Sequence, residues 1–129
     1  MKTVIHDVTG REPLNVYQEH ARGLRALVFC PPDLRELTAI KHAFFRAGLE
    51  VRSVSHLDCN TTRMALFAWW HDAPGRILCM EPSASEVPVG ADAVLIAHAC
   101  QSPRVFLRLL TVAQCPIYDL GGNLQRHNH

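Results

Sequence analysis

The chain has 129 residues, 48% of them hydrophobic and 19% charged, a balance that supports one globular core and is too short for two. Thirteen Lys and Arg oppose twelve Asp and Glu, so the formal charge of +1 provides no broad attraction for nucleic acid or an anionic membrane. No apolar run approaches the roughly 20 residues that span a bilayer, and the first ten residues lack the apolar region of a secretory signal, so a cytoplasmic protein without a membrane partner is expected.

The five cysteines, Cys30, Cys59, Cys79, Cys100 and Cys115, are odd in number and widely spaced, with no Cys-x-x-Cys pair, which predicts reduced thiols. Lys2 and Lys41 are the only lysines and neither follows a glycine-rich turn, which excludes a P-loop. No G-x-G-x-x-G, G-x-S-x-G or H-E-x-x-H occurs. No cofactor is expected.

Residues 1–22 mix charges with Gly10 and Pro13 around a short apolar stretch at 14–17 and read as an N-terminal arm. Residues 26–30, an apolar run closed by Pro31 and Pro32, suit a parallel strand covered on both faces. Leu34, Leu37, Ile40, Phe44 and Ala47 then recur at helical spacing, and Gly48 stands where that helix would end. Residues 50–55 read as the next strand. Residues 63–70 form either a helix capped at Asn60, with a strand at 76–81 after it, or a strand themselves. Residues 91–99 are a later buried strand, and Ser102-Pro103 opens a helix carrying Val105, Phe106, Leu109, Leu110 and Ala113 on one face. A last short strand at 115–119 is stopped by Gly121-Gly122, and 123–129 read as a flexible tail. The alternation predicts a single-domain α/β fold with a mainly parallel sheet, spanning 23–122 and lacking a clear fifth helix.

Parallel strands deliver their last residues to one edge, where ligands usually bind. That edge collects Cys30 and Asp33, then His56, Asp58 and Cys59, then His98 and Cys100, and finally Asp119; Glu81 joins if 76–81 is a strand. Cys30 before a helix N-terminus is a candidate nucleophile, although a thiol ending an apolar strand is more often a small buried hydrophobe and the two prolines supply no amides. Catalysis would draw on Cys30, Asp58 and His98. His98 and Cys100, two apart, face one side of a strand and with Asp58 or Cys59 would make a metal site; the plainer reading is a satisfied histidine beside an inert thiol. His127 and His129 lie too close to the end to define a site. Trp69-Trp70 on a strand would point to opposite faces and offer one ring as a contact surface, or both would fill the core. Arg104 and Arg108, four apart on one helical face, make a solvated flank, so nucleic acid is not an expected partner.

The order Leu27-Val-Phe-Cys-Pro-Pro-Asp, a helix ending Phe-Arg-Ala-Gly, a strand Val-Arg-Ser-Val and the later Gln-Ser-Pro-Arg-Val-Phe-Leu is similar to a receiver domain. It most resembles the degenerate, phosphorylation-independent receivers that begin ANTAR-type antiterminators, including amide-responsive regulators. The resemblance spans about residues 24–123. It implies a CheY-like, flavodoxin-like three-layer sandwich acting in transcriptional signalling. A working receiver places an acidic pair after its first strand, an aspartate after its third, a hydroxyl after its fourth and a lysine after its fifth. Here Cys30-Pro31-Pro32, then Trp69, Trp70 or Glu81, then Ala97-His98, and finally Asp119-Leu120-Gly121 stand in those places. Without the carboxylates and the lysine, aspartyl phosphorylation is not expected. The absent fifth helix would expose apolar strand surface to be covered by the arm or by another subunit, as in a dimer. The expectation is a non-catalytic regulatory pseudo-receiver that binds a protein partner or itself; the alternative is a small enzyme or metal-binding protein using the Cys/His/Asp edge cluster.

Overall fold

A computed structural model describes residues 4–81, 87–100, 103–112 and 114–127. Six strands form one sheet: β1 (Ile5–Asp7), β2 (Ala26–Phe29), β3 (Val51–Val54), β4 (Ile77–Met80), β5 (Ala93–Ile96) and β6 (Ile117–Asp119). Their spatial order is β1-β6-β5-β2-β4-β3, and all five pairings are parallel. Every residue of β2, β4 and β5 is buried, which explains why their sequences run apolar without alternation: both faces are covered.

One face carries α1 (Pro13–His20) and α2 (Leu34–Arg46), which seat Val16, Tyr17, Leu37 and Phe44 on Val28, Cys79 and Leu95. The other carries α3 (Asn60–His71), α4 (Pro103–Val112) and α5 (Asn123–His127), which bring Trp70, Phe106 and Leu124 against Leu27, Leu78 and Ile96. The result is the α/β fold with a parallel sheet that the alternation predicts, built as the three-layer sandwich that the receiver resemblance implies. Burying each large apolar side chain here contributes roughly 1.5–3 kcal/mol.

Local sequence explains the helix limits. The Asp33 carboxylate accepts the Arg35 N–H at 2.8 Å and starts α2; Gly48, at φ +82°, leaves it in the left-handed region that glycine alone takes freely. Residues 60–71 resolve the ambiguity of the middle as a helix followed by a strand. Arg25 fixes the end of α3 by donating Nε to the Trp70 carbonyl at 3.1 Å and Nη2 to the His71 carbonyl at 3.0 Å. The Ser102 cap expected for α4 lies outside the described residues.

Two expectations are corrected at the ends of the chain. Residues 5–20 are not an arm outside the domain but part of its sheet and helical layers. They supply edge strand β1, paired with β6, and helix α1, whose Val16 and Tyr17 are fully buried. Of the two covers expected for the sheet face beside α2, the N-terminal segment supplies one: α1 packs there through Val16 and Tyr17. Residues 123–127 form α5 rather than a free tail, because the Asn123 side chain is wholly buried and bonded.

Strand order departs from the receiver pattern. Counted from β2, the sheet runs second-third-first-fourth-fifth, whereas flavodoxin-like receivers run second-first-third-fourth-fifth. Here β4 sits between β2 and β3.

Candidate functional site

The carboxyl edge of the sheet divides into three stretches with different chemistry. Above β5 and β6 the chain is tied to itself. Asp119, fully buried, accepts the Asn123 Nδ2–H at 2.9 Å and the Leu124 N–H at 2.8 Å. Asn123 also donates to the His98 carbonyl at 2.8 Å and accepts the Cys100 N–H at 2.7 Å. Gly121 passes so close that a Cβ there would lie 2.3 Å from the His98 oxygen. Both Asp119 carboxylate oxygens are thus spent on internal donors, so this stretch is structural.

Above β2 and β5 lies the point where the crossovers diverge: β2 leads through α2 toward β3, whereas β5 leads through α4 toward β6. Cys30 and His98 flank it. The Cys30 thiol is fully buried, and hydrogen bonding with Cys79, then burial, push its pKa far above the ordinary thiol range. It is an inert core group, not a nucleophile. His98 follows the end of β5 in a loop, and burial lowers its pKa despite the nearby Glu36. Cys100 is turned into the core below α4, with its thiol pushed up to about 11 by burial and by Asp119. Because β5 ends at Ile96, the same-side geometry expected of a strand does not hold for the His98–Cys100 pair.

Over this divergence point is a groove of about 240 Å³ between α1 and α2, lined by Ala39, Ile40, Ala97 and Leu120 and bordered by Arg11, Glu12, Pro13, Pro31 and Glu36. Sequence reading missed it because Arg11, Glu12 and Pro13 were assigned to an arm.

Above β4 and β3, Glu81 ends β4 with its side chain only 5% exposed, while the His56 side chain beyond β3 is 63% exposed. The imidazole Nδ1 lies 2.9 Å from Glu81 Oε1, and the His56 N–H donates to Oε2 at 3.3 Å. The loop bearing His56 is rigidly built: Ser55 N–H donates to the Asp58 carboxylate at 2.8 Å, Leu57 N–H to the Ser55 hydroxyl at 3.2 Å and Asp58 N–H to the Ser55 carbonyl at 3.1 Å. The Arg63 guanidinium closes it on the carbonyls of Asp58 and Ser55. In a neutral imidazole, a carboxylate accepting from Nδ1–H leaves the lone pair on Nε2. Both residues were on the sequence-derived edge, but their pairing depends on β3 lying next to β4.

That order also separates the proposed cluster. Asp58 and Cys59 follow β3, three strand spacings from β5, roughly 14 Å, so they do not join His98 and Cys100. Among the described residues, no three His, Cys, Asp or Glu side chains are placed to hold a metal ion. Cys59 is exposed beside Thr62, whose hydrogen bonds lower its thiol pKa. His127 ends α5 and His129 lies outside the described residues. Arg104 and Arg108 are exposed on α4.

Trp69 and Trp70 stand on α3, about 100° apart around a helix rather than on opposite faces of a strand. Trp70 is fully buried and donates Nε1–H to the Ala26 carbonyl at 3.0 Å. Trp69 is half-buried, with the Arg52 and Arg76 guanidinium groups 4.5 and 4.8 Å from its ring centroid. Trp70 is therefore core, and Trp69 is engaged by two cations of this chain.

No protein-family model matches the chain, and no curated protein matches its sequence. Solved structures share its fold. The C-terminal part of the Fun30 ATPase domain superposes with a TM-score of 0.67 at 13% identity, covering 81% of this chain and 36% of that one. The second domain of the DEAD-box helicase Mss116p, bound to an RNA duplex, gives 0.64 at 9% identity, covering 92% of this chain and 53% of that one. The chain is similar to parts of ATPase and helicase domains in its parallel α/β architecture. It spans between about a third and about half of the solved chains it matches.

Proposed function

We propose that this chain is a non-catalytic, protein-binding regulatory domain, a role of the kind that pseudo-receivers play, carried on a different strand order. The observation that carries the reading is the spending of reactive groups at the carboxyl edge. Asp119 is consumed by Asn123 and Leu124, the Cys30 thiol is buried with its pKa raised, and what remains open over the divergence point is an apolar groove. This sequence holds no glycine-rich phosphate turn followed by lysine.

Cross-linking mass spectrometry of the intact chain in extract of its native host tests the reading, alongside phosphate release from ATP and incubation with acetyl phosphate and Mg²⁺. Cross-links from the carboxyl edge to one defined protein, with no turnover and no phosphoryl adduct, are expected. Catalytic ATP hydrolysis or a stoichiometric acyl phosphate overturns it.

The His56–Glu81 pair favours a second reading, acid–base catalysis by an oriented imidazole on a rigid loop. Its mark would be turnover abolished by His56→Gln and strongly reduced by Glu81→Gln.

A further inference from the structure

We infer that the groove between α1 and α2 receives one aliphatic side chain flanked by Arg or Lys from a partner protein, an inference that rests on the protein-binding reading. Three observations converge on it. The groove lies where the crossovers of β2 and β5 diverge, the place where ligands lodge in open parallel sheets. Its size, about 240 Å³, falls below the roughly 300–1,000 Å³ of small-molecule pockets and suits a single protruding side chain against Ile40, Ala97 and Leu120.

The polar border then selects the flanking charge. The helix starts that open onto the groove offer little to an anion. Pro13, Pro31 and Pro32 have no N–H. The Arg35 N–H is held by the Asp33 carboxylate and the Leu37 N–H by the Asp33 carbonyl. The Arg11 guanidinium is paired with Glu19. Glu12 and Glu36 border the groove, and neither forms an ion pair among the described residues. A cationic donor on each side of an apolar anchor complements that pair of carboxylates.

Amide NMR of the intact protein, titrated separately with Ac-Arg-Leu-Arg-amide and Ac-Glu-Leu-Glu-amide, tests the inference. The basic probe is expected to shift Ile40, Ala97 and Leu120, and the acidic probe to leave them in place. The double variant Glu12→Gln, Glu36→Gln touches no core residue; it is expected to keep its Tm and bind the basic probe roughly three- to tenfold more weakly. An equal response to both probes, shifts confined to another face, or unchanged affinity in the variant overturns the inference. A silent groove in a chain whose native cross-links fall on a different surface defeats the groove alone and leaves the protein-binding reading standing. Groove shifts in a chain that hydrolyses ATP defeat that reading alone.

Discussion

The side-chain amide of Asn123 lies 2.9 Å from the carboxylate of Asp119, and both residues are completely buried. The same amide group reaches back to the backbone of His98 and Cys100, so one side chain joins the loops after β5 and β6. Replacing Asn123 by Ala leaves an uncompensated buried carboxylate oxygen and an orphaned Cys100 N–H. A loss of about 3 kcal/mol is expected, read as a fall in Tm of roughly 10 °C. A Tm unchanged in Asn123→Ala would show that water replaces the amide without cost.

Gly121 tests the same junction sterically. Its Cβ would meet the His98 oxygen at 2.3 Å and the Ala99 nitrogen at 2.9 Å, both backbone atoms that cannot swing aside. Gly121→Ala is expected to cost about 1–3 kcal/mol by urea unfolding. Gly121 is not among the glycines at positive φ, so its cost is steric; Gly10→Ala, where no atom lies within 4 Å of the added Cβ but φ is +80°, carries backbone strain alone.

The two adjacent tryptophans are expected to differ sharply. Trp70→Ala removes a fully buried ring and leaves the Ala26 carbonyl without its donor, a loss of roughly 3–5 kcal/mol. Trp69→Ala gives up two cation–π contacts at a half-buried site, each about 0.5–1 kcal/mol, and should cost about half as much. Equal losses in the two variants would contradict the core and flank positions of the rings.

Thiol chemistry should single out Cys59. It is exposed, and the Thr62 hydroxyl stabilises its thiolate, so a disulfide reagent should label it first, with a rate whose midpoint in pH lies below that of an ordinary cysteine. Thr62→Val should move that midpoint to higher pH. Fast labelling of Cys30 or Cys79 in the native protein would refute the burial of both.

Buried thiols also give stability an alkaline limit. Burial pushes Cys100 and Cys115 to about 11 and Cys30 is raised further by Cys79, so the folded chain keeps these groups neutral. In the unfolded chain they ionise near pH 8.5. The unfolded state is therefore favoured increasingly as pH climbs from about 8.5 toward 11, and the urea midpoint should be lower at pH 10 than at pH 7.5. A flat profile across that interval would reject this linkage.

The elements whose signal is local were legible in the sequence. The run 26–30 is apolar because β2 is covered on both faces, and α2 announces itself through the spacing of Leu34, Leu37, Ile40 and Phe44, and Gly48, while the sequence marks its Asp33 cap only as an edge residue. What escaped depends on partners distant in sequence. Val16 and Tyr17 give too short an apolar stretch to mark an eight-residue helix, and only the open sheet face makes α1 necessary. Asn123 follows two glycines that read as a chain end; its role exists only because Asp119, His98 and Cys100 surround it. His56 and Glu81 were both placed on the edge, yet no periodicity reveals that β4 inserts between β2 and β3 and sets them side by side. That same insertion carries Asp58 and Cys59 away from His98.

The pairing of β1 with β6 sets a schedule for folding. Ile5 lies opposite Ile117, and the Gln125 side chain donates to the Asp7 carboxylate at 2.9 Å across 118 positions of sequence. During synthesis, β1 has no neighbour until the chain as far as β6 has emerged. The inner strands can assemble around β2 while residues 5–7 wait, and the sheet acquires its last edge only when translation of this region is complete.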